Sequence, residues 1–338
     1  RLFLIMSTRD TTILNPTDLR YLLIDCLNLY SRNTHFIEGN NPYLFTTNNN
    51  TFYIYIKNVH ESGRGRGNED ECRIQIARSK EISKALSSKK TVIVLGYFHD
   101  YKVFTAWNPI MMASRFNVKK TISLYSRFST HKKALEAGIS NYIDNNNQSI
   151  ISFSPKYLGL YLENIENIHS IDENQLQQLI SKSDESDSED KYTELHIKKH
   201  KFTITHKQYK RDPKFRKIIY QAYNNRCAMC GIKLGIVIAA HIIPHADPDG
   251  TDEVDNGICL CPLHHDAYDS GIVYFNENFK IKLNQEKIRY LEKMDLDSGI
   301  KKFEELTFEE ISLPENMAFR PTSTNINLAN KKRGINIT

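Results

Sequence analysis

Cysteine is scarce outside one stretch of this chain. Of six cysteines in 338 residues, only Cys26 and Cys72 lie outside residues 227–261. That is too few for a disulfide scaffold and fits a reducing cytoplasm rather than secretion. Long apolar runs are missing too. None approaches the roughly eighteen residues needed to span a bilayer, so no membrane segment is expected. Nor is there a strong charge of either sign: the formal net charge is +5, a mild basicity that permits a nucleic-acid partner without establishing one. The residues before Met6 are too few for a signal peptide and read as an upstream extension or a cloning remnant. What remains is ordinary: 40% hydrophobic and 10% aromatic residues can build normal cores, and the length allows two domains.

What is rare elsewhere is concentrated between Arg226 and Gly271, which hold four of the six cysteines and four of the twelve histidines. Cys227 and Cys230 form a C-x-x-C pair, and Cys261 and His264 a C-x-x-H pair. Three thiolates and an imidazole at these spacings can close a tetrahedron around structural Zn2+. Such a closed site leaves no open position, so it reads as a staple. Buried cysteines with a chance histidine would be the plain alternative, but two short-spaced pairs about thirty residues apart rarely arise by accident. Cys259 is a possible substitute ligand, although the x-x spacing favours Cys261.

Interleaved with these pairs is a second set. Ala239-Ala240-His241-Ile242 precedes Pro244; Asp255-Asn256-Gly257 follows; His265 sits beside His264. The pieces AAHIIP, NGICLC and HDAYDSG resemble the HNH nuclease family, and within it the restriction-type branch. The resemblance covers about residues 207–285 and is specific only when the pieces are taken together. It implies a ββα-metal fold and phosphodiester hydrolysis. It also implies roles: His241 as general base, Asn256 as the residue orienting that histidine through a side-chain or backbone hydrogen bond, and His265 as a ligand of a catalytic Mg2+ or Mn2+ ion. A histidine suits the base because its ordinary pKa lies near neutrality. Alone in an apolar strand, His241 would read as a satisfied core residue; Asn256 and His265 in register change that. One departure matters. Many relatives carry an acidic metal ligand just before the base, and here Ala240 stands there. Asp269, one helical turn beyond His265, is the candidate second ligand, with a capping or structural role as its alternative. His245 reads as a loop histidine that could touch phosphate or metal.

The rest of the chain supplies context. Residues 14–32 read as a packing helix opened by Asn15-Pro16-Thr17-Asp18. Residues 51–60 alternate as a strand, and Cys72–Ile76 form another. Thr91–Tyr97 and Lys102–Trp107 read as a hairpin, Thr121–Tyr125 as a further strand and 130–137 as a short helix. Between the first two strands, Arg64 and Arg66 alternate with glycines. Such a loop can approach phosphates closely, or can simply be solvated. Residues 1–180 are therefore expected to form an α+β recognition domain with a mostly antiparallel sheet. The runs SGRGRGNEDECRIQI and LGYFHDYKVFTAWNP are similar to an N-terminal region of some restriction-type HNH proteins, which implies target recognition. Residues 181–191 read as an acidic linker, and 192–338 as the nuclease domain with a tail that packs or frays. Residues 196–211 are basic and can contact phosphates without reading sequence. A helix is expected to follow from Asp212-Pro213 to Tyr223. The DNA contacts expected are Arg64, Arg66, Arg73, Lys210 and Arg211.

The expected function is a restriction-type endonuclease acting on double-stranded DNA. Its target would be read by the N-terminal domain, either by sequence or by base modification. A mobile-element or toxin nuclease of low specificity is the nearer alternative, and a non-catalytic zinc module that only binds DNA the farther one. One motif gives one active site, so cutting both strands points to a homodimer on DNA.

Overall fold

The computed structural model describes residues 13–30, 35–46, 51–62, 69–185, 192–197, 200–205, 213–245 and 247–335. In the N-terminal half the order is α1 (Pro16–Tyr30), β1 (His35–Glu38), β2 (Tyr43–Thr46), β3 (Thr51–Asn58), β4 (His60–Glu61), β5 (Glu71–Ala77), α2 (Lys80–Ser87), β6 (Thr91–Phe98) and β7 (Val103–Ala106). Then come α3 (Pro109–Val118), β8 (Thr121–Arg127), α4 (Phe128–Ala137), β9 (Ile139–Ile143), β10 (Ser149–Phe153), α5 (Leu158–Glu163) and α6 (Glu173–Glu185). After these follow β11 (Tyr192–Ile197), β12 (His200–Thr205), α7 (Pro213–Ala222), β13 (Ile238–His241), β14 (Gly257–Leu260) and α8 (Pro262–Asp269). The chain continues through β15 (Val273–Phe275), β16 (Ile281–Leu283), α9 (Gln285–Lys293), α10 (Ile300–Leu306) and α11 (Ser323–Lys332).

The large sheet runs β1-β2-β3-β6-β7-β10-β9. Its pairs are antiparallel except β3 with β6, as the mostly antiparallel reading expected. The reason for the covered centre lies in β6: TVIVLGYF is buried from Val92 to Phe98. With a side-chain period of two, Ile93, Leu95 and Tyr97 enter one core with α1. Val94 and Phe98 enter another, with the small sheet β4-β5-β8. In α1 the stripe Leu19, Leu22, Leu23 and Cys26 is buried as the periodicity predicts.

The acidic stretch differs from expectation. Helix α6 runs to Glu185, so residues 181–185 of the expected linker are helical. Leu176, Leu179 and Ile180 bury its inner face. Asp172 and Gln175 exchange backbone and side-chain hydrogen bonds across its start, a reciprocal cap. Residues 186–191 lie outside the described residues. The tail packs rather than frays: Ile326 and Ala329 of α11 belong to the core around the β13–β14 hairpin.

The two halves share side chains. Ile288, Tyr290 and Leu291 of α9 sit in the same core as α1 and the large sheet. Beside them the fully buried Lys287 Nζ lies 2.6 Å from Asp25 Oδ1. Lys293 reaches Asp18 at 2.6 Å, and Asn284 Nδ2 donates to Tyr21 Oη at 3.1 Å. Burial pushes Lys287 down and Asp25 up, while each charge opposes the other's shift. Among the described residues, no helix is long and apolar enough to cross a membrane.

Candidate active site

The cysteine pairs meet. Helix α7 is followed by Asn224 and Asn225, both at left-handed φ, and the chain turns into a knuckle closed by Gly231 N donating to Cys227 O at 2.8 Å. Cys261 is the residue before α8, with Pro262 in the helix's first position. One turn of helix then brings His264 back over it. The ligand atoms of Cys227, Cys230, Cys261 and His264 all lie within 4.8 Å of one another. Cys230 Sγ is 3.8 Å from Cys261 Sγ, and Cys261 Sγ is 3.2 Å from His264 Nδ1. A tetrahedral site with ordinary zinc–ligand lengths has edges of about 3.8 Å between sulfurs and about 3.6 Å between sulfur and nitrogen. The donor set fits such an ion. On the far side of the ring, His264 Nε2 lies 2.9 Å from Thr307 Oγ1, whose hydroxyl donates to Phe303 O. With its hydroxyl hydrogen committed, Thr307 accepts from Nε2–H, which leaves the Nδ1 lone pair facing the thiols. Burial holds His264 down at about 4 and pushes the thiols of Cys227 and Cys230 up. Cys259 stands apart from this cluster: it pairs with Ala239 across the hairpin, and burial pushes its thiol up to about 12.

The β13–β14 hairpin carries the second set. His241 faces Gly257 across the ladder. A Cβ on Gly257 would lie 2.1 Å from Ile219 Cδ1 and 3.0 Å from Phe215 Cζ, so the glycine of the N-G pair lets α7 close over the hairpin. Phe215 of α7 thereby stacks on the His241 ring, with centroids 4.2 Å apart and planes at 4°.

Asn256 is buried, and its side chain bonds the backbone of the strand and loop around His241 rather than orienting the ring directly as the resemblance implied. Its Oδ1 accepts from Ile243 N at 2.8 Å, and its Nδ2 donates to Ile243 O at 2.9 Å and Thr251 O at 2.8 Å. Its own carbonyl accepts from Ile242 N. It thus clamps the strand just after His241 to the end of the loop. Gly250 completes the loop's tight turn, since a Cβ there would meet Pro244 O at 2.1 Å.

His265 is buried, with Nδ1 3.4 Å from Asp266 Oδ1 and 3.5 Å from Asp269 Oδ2. Asp269 therefore stands beside His265 as the helical spacing expected. Two donors sharing an octahedral ion at about 2.1 Å lie about 3.0 Å apart when adjacent, so a small movement would let this pair share one.

Other groups at the site were not visible in the motif. Asp252 Oδ1 lies 2.8 Å from His241 Nε2 and 3.3 Å from His245 Nδ1, and these three groups are also close enough to hold an ion. From α11, Lys332 Nζ reaches Asp247 and Asp249. Next to it Arg333 donates to Ile242 O at 3.1 Å and lies over the Tyr268 ring at 4.0 Å. Of the expected DNA contacts, Arg73 sits half-buried in β5 opposite His60 and Tyr125. Arg64, Arg66, Lys210 and Arg211 lie outside the described residues.

Two segments of the chain match known families. Residues 50–162 match the family described as Methylase-associated X1, and residues 227–276 match the HNH endonuclease family. No curated protein matches. Among solved structures, one titled "Modification dependent TagI restriction endonuclease" is similar at 11% identity and a TM-score of 0.27. The match covers 84% of this chain and 81% of that one. The zinc-type knuckle, the His241 hairpin and helix α8 all fall inside the matched segment: the chain carries an HNH endonuclease domain and is a nuclease.

Proposed function

We propose that the chain is a restriction-type endonuclease that hydrolyses phosphodiester bonds of double-stranded DNA. The observation that carries this reading is His241, held by the hairpin and by Phe215 within an HNH domain stapled by four metal-ligand side chains. In this reading His241 takes a proton from the attacking water. Asn256 holds the loop that frames it. His265, with Asp269, would hold the catalytic Mg2+ or Mn2+. Such an ion, when bound, polarises the scissile phosphate and stabilises the leaving oxygen. Cys227, Cys230, Cys261 and His264 would hold a structural Zn2+ that supports α8 and hence His265. The N-terminal half would read the target, consistent with its match to a methylase-associated family. A homodimer on DNA would then place one active site at each strand.

The test is digestion of methylated and unmethylated plasmids by the full chain with Mg2+ or Mn2+, followed by sequencing of the ends. Defined ends that depend on methylation or sequence are expected. Scattered ends would replace this reading with a low-specificity nuclease. His241→Ala should abolish cutting with zinc content and DNA binding near normal, and wild-type cutting by this variant would sink the assignment of the base. Light scattering with cognate duplex should show two chains per site.

A further inference from the structure

We propose that Asp252 is the positioning residue of the base His241, a role that rests on the reading of His241 given above. The ring is fixed on two sides. Phe215 lies parallel to its face at 4.2 Å, and Asp252 Oδ1 meets its edge at Nε2, 2.8 Å away. An ionised carboxylate can only accept, so the hydrogen between them belongs to Nε2. The neutral ring then carries its lone pair on Nδ1. In the chemical step a water O–H bond breaks and an N–H bond forms at Nδ1. The freed electron pair attacks phosphorus, and the ester P–O bond breaks with its pair on the sugar oxygen. Asp252 keeps accepting from Nε2–H and faces the imidazolium so formed, as the carboxylate does in a Ser-His-Asp triad.

The loop holds Asp252 in place. Thr251, its neighbour, is tied through its carbonyl to Asn256 Nδ2, and Asn256 is tied through both ends of its amide to Ile243. Asn256 thus acts on the base at one remove, by holding both the strand after His241 and the residue before Asp252. The residue before the base, Ala240, has no carboxylate to offer. His245, whose side chain is 66% exposed, shares the same Asp252 oxygen at 3.3 Å and is a secondary partner.

The experiment uses the full-length, zinc-loaded chain. Asp252→Asn is expected to lower kcat for plasmid cleavage about 10²- to 10⁴-fold at nearly constant KM. Asp252→Glu should recover most of the loss, and the neighbouring Glu253→Gln should cut like wild type. Nitrogen NMR of labelled histidines should show the Nε2–H form of His241 in the wild type and a tautomer mixture in Asp252→Asn. Wild-type kcat in Asp252→Asn, or an unchanged tautomer, overturns the proposal. So does a joint loss of Mn2+ affinity in Asp252→Asn and His245→Ala, read by electron paramagnetic resonance, because the three groups would then be an ion site. If the wild type cuts no DNA, the nuclease reading of the site fails, while the tautomer measurement still decides the Asp252–His241 pairing.

Discussion

Replacing Asn256 by alanine should unfasten the hairpin that carries His241. The side chain makes three hydrogen bonds, two of them to the amide and carbonyl of Ile243, a residue 1% exposed. Without Asn256 those two backbone groups stay buried with a partner gone. At roughly 1–3 kcal/mol for each such group, the loss is about 2–6 kcal/mol. The third partner, Thr251 O, belongs to an exposed residue and can turn to water, so it adds little. Against a typical domain stability of about 5–15 kcal/mol, the change is large but not necessarily fatal to folding. Asn256→Asp should be no milder, since a carboxylate oxygen would then face the carbonyls of Ile243 and Thr251, acceptor against acceptor. Urea unfolding followed by circular dichroism reads the global loss, and hydrogen exchange at the Ile243 amide reads the local one. An unchanged urea midpoint together with unchanged Ile243 protection would refute the reasoning.

Cys261→Ser should lose metal and stability together, because a structural ion contributes folding free energy directly; elemental analysis and a melting curve on one sample check both. Thr307→Val should weaken zinc binding about 10- to 100-fold by freeing the His264 tautomer, measured by competition with a chromophoric chelator. Lys287→Ala should cost about 3–5 kcal/mol by leaving Asp25 unpaired beside buried α9; thermal unfolding should show it, with much of the loss recovered in Asp25→Leu/Lys287→Met. Burial lowers His131 and His169 from an ordinary 6.5 to about 4. Their neutral forms therefore contribute stability that is full above pH 6.5 and lost as pH falls through about 4. The melting temperature should drop across that window, and less steeply in His169→Gln.

The arrangement of the candidate site was largely legible because its motifs are local in sequence. A C-x-x-C turn and a C-x-x-H helix start each place two ligands by short-range geometry, and only their meeting needed the fold. The strand of His241 and the turn of Asn256 were likewise readable from adjacent residues. Asn256's actual contacts were not, because Ile243 and Thr251 are backbone partners with no sequence signature. Asp252 sits among several loop acids, and nothing in the spacing singles it out. Thr307 and Arg333 come from 43 residues beyond His264 and 91 beyond Ile242, in a tail without a pattern. The acidic run hid the end of α6, since its composition speaks of solvent while the buried face just before it decides the helix. The partner of α9 was hidden too: Lys287 looks like a surface residue until Asp25 of α1 is brought to it.

That last contact sets a length scale for the whole molecule. A nuclease hung on a flexible string would cut wherever its tether let it wander, and its ends would scatter over many base pairs. Here Ile288, Tyr290 and Leu291, from the helix that follows the HNH segment, are embedded in the core that supports the large sheet, so the two halves are joined as the ends of one ruler. If the sheet reads the target as proposed, the cut should fall at a constant offset from it. Lys287→Ala, which loosens the joint without touching either end, should broaden that offset before it lowers the rate.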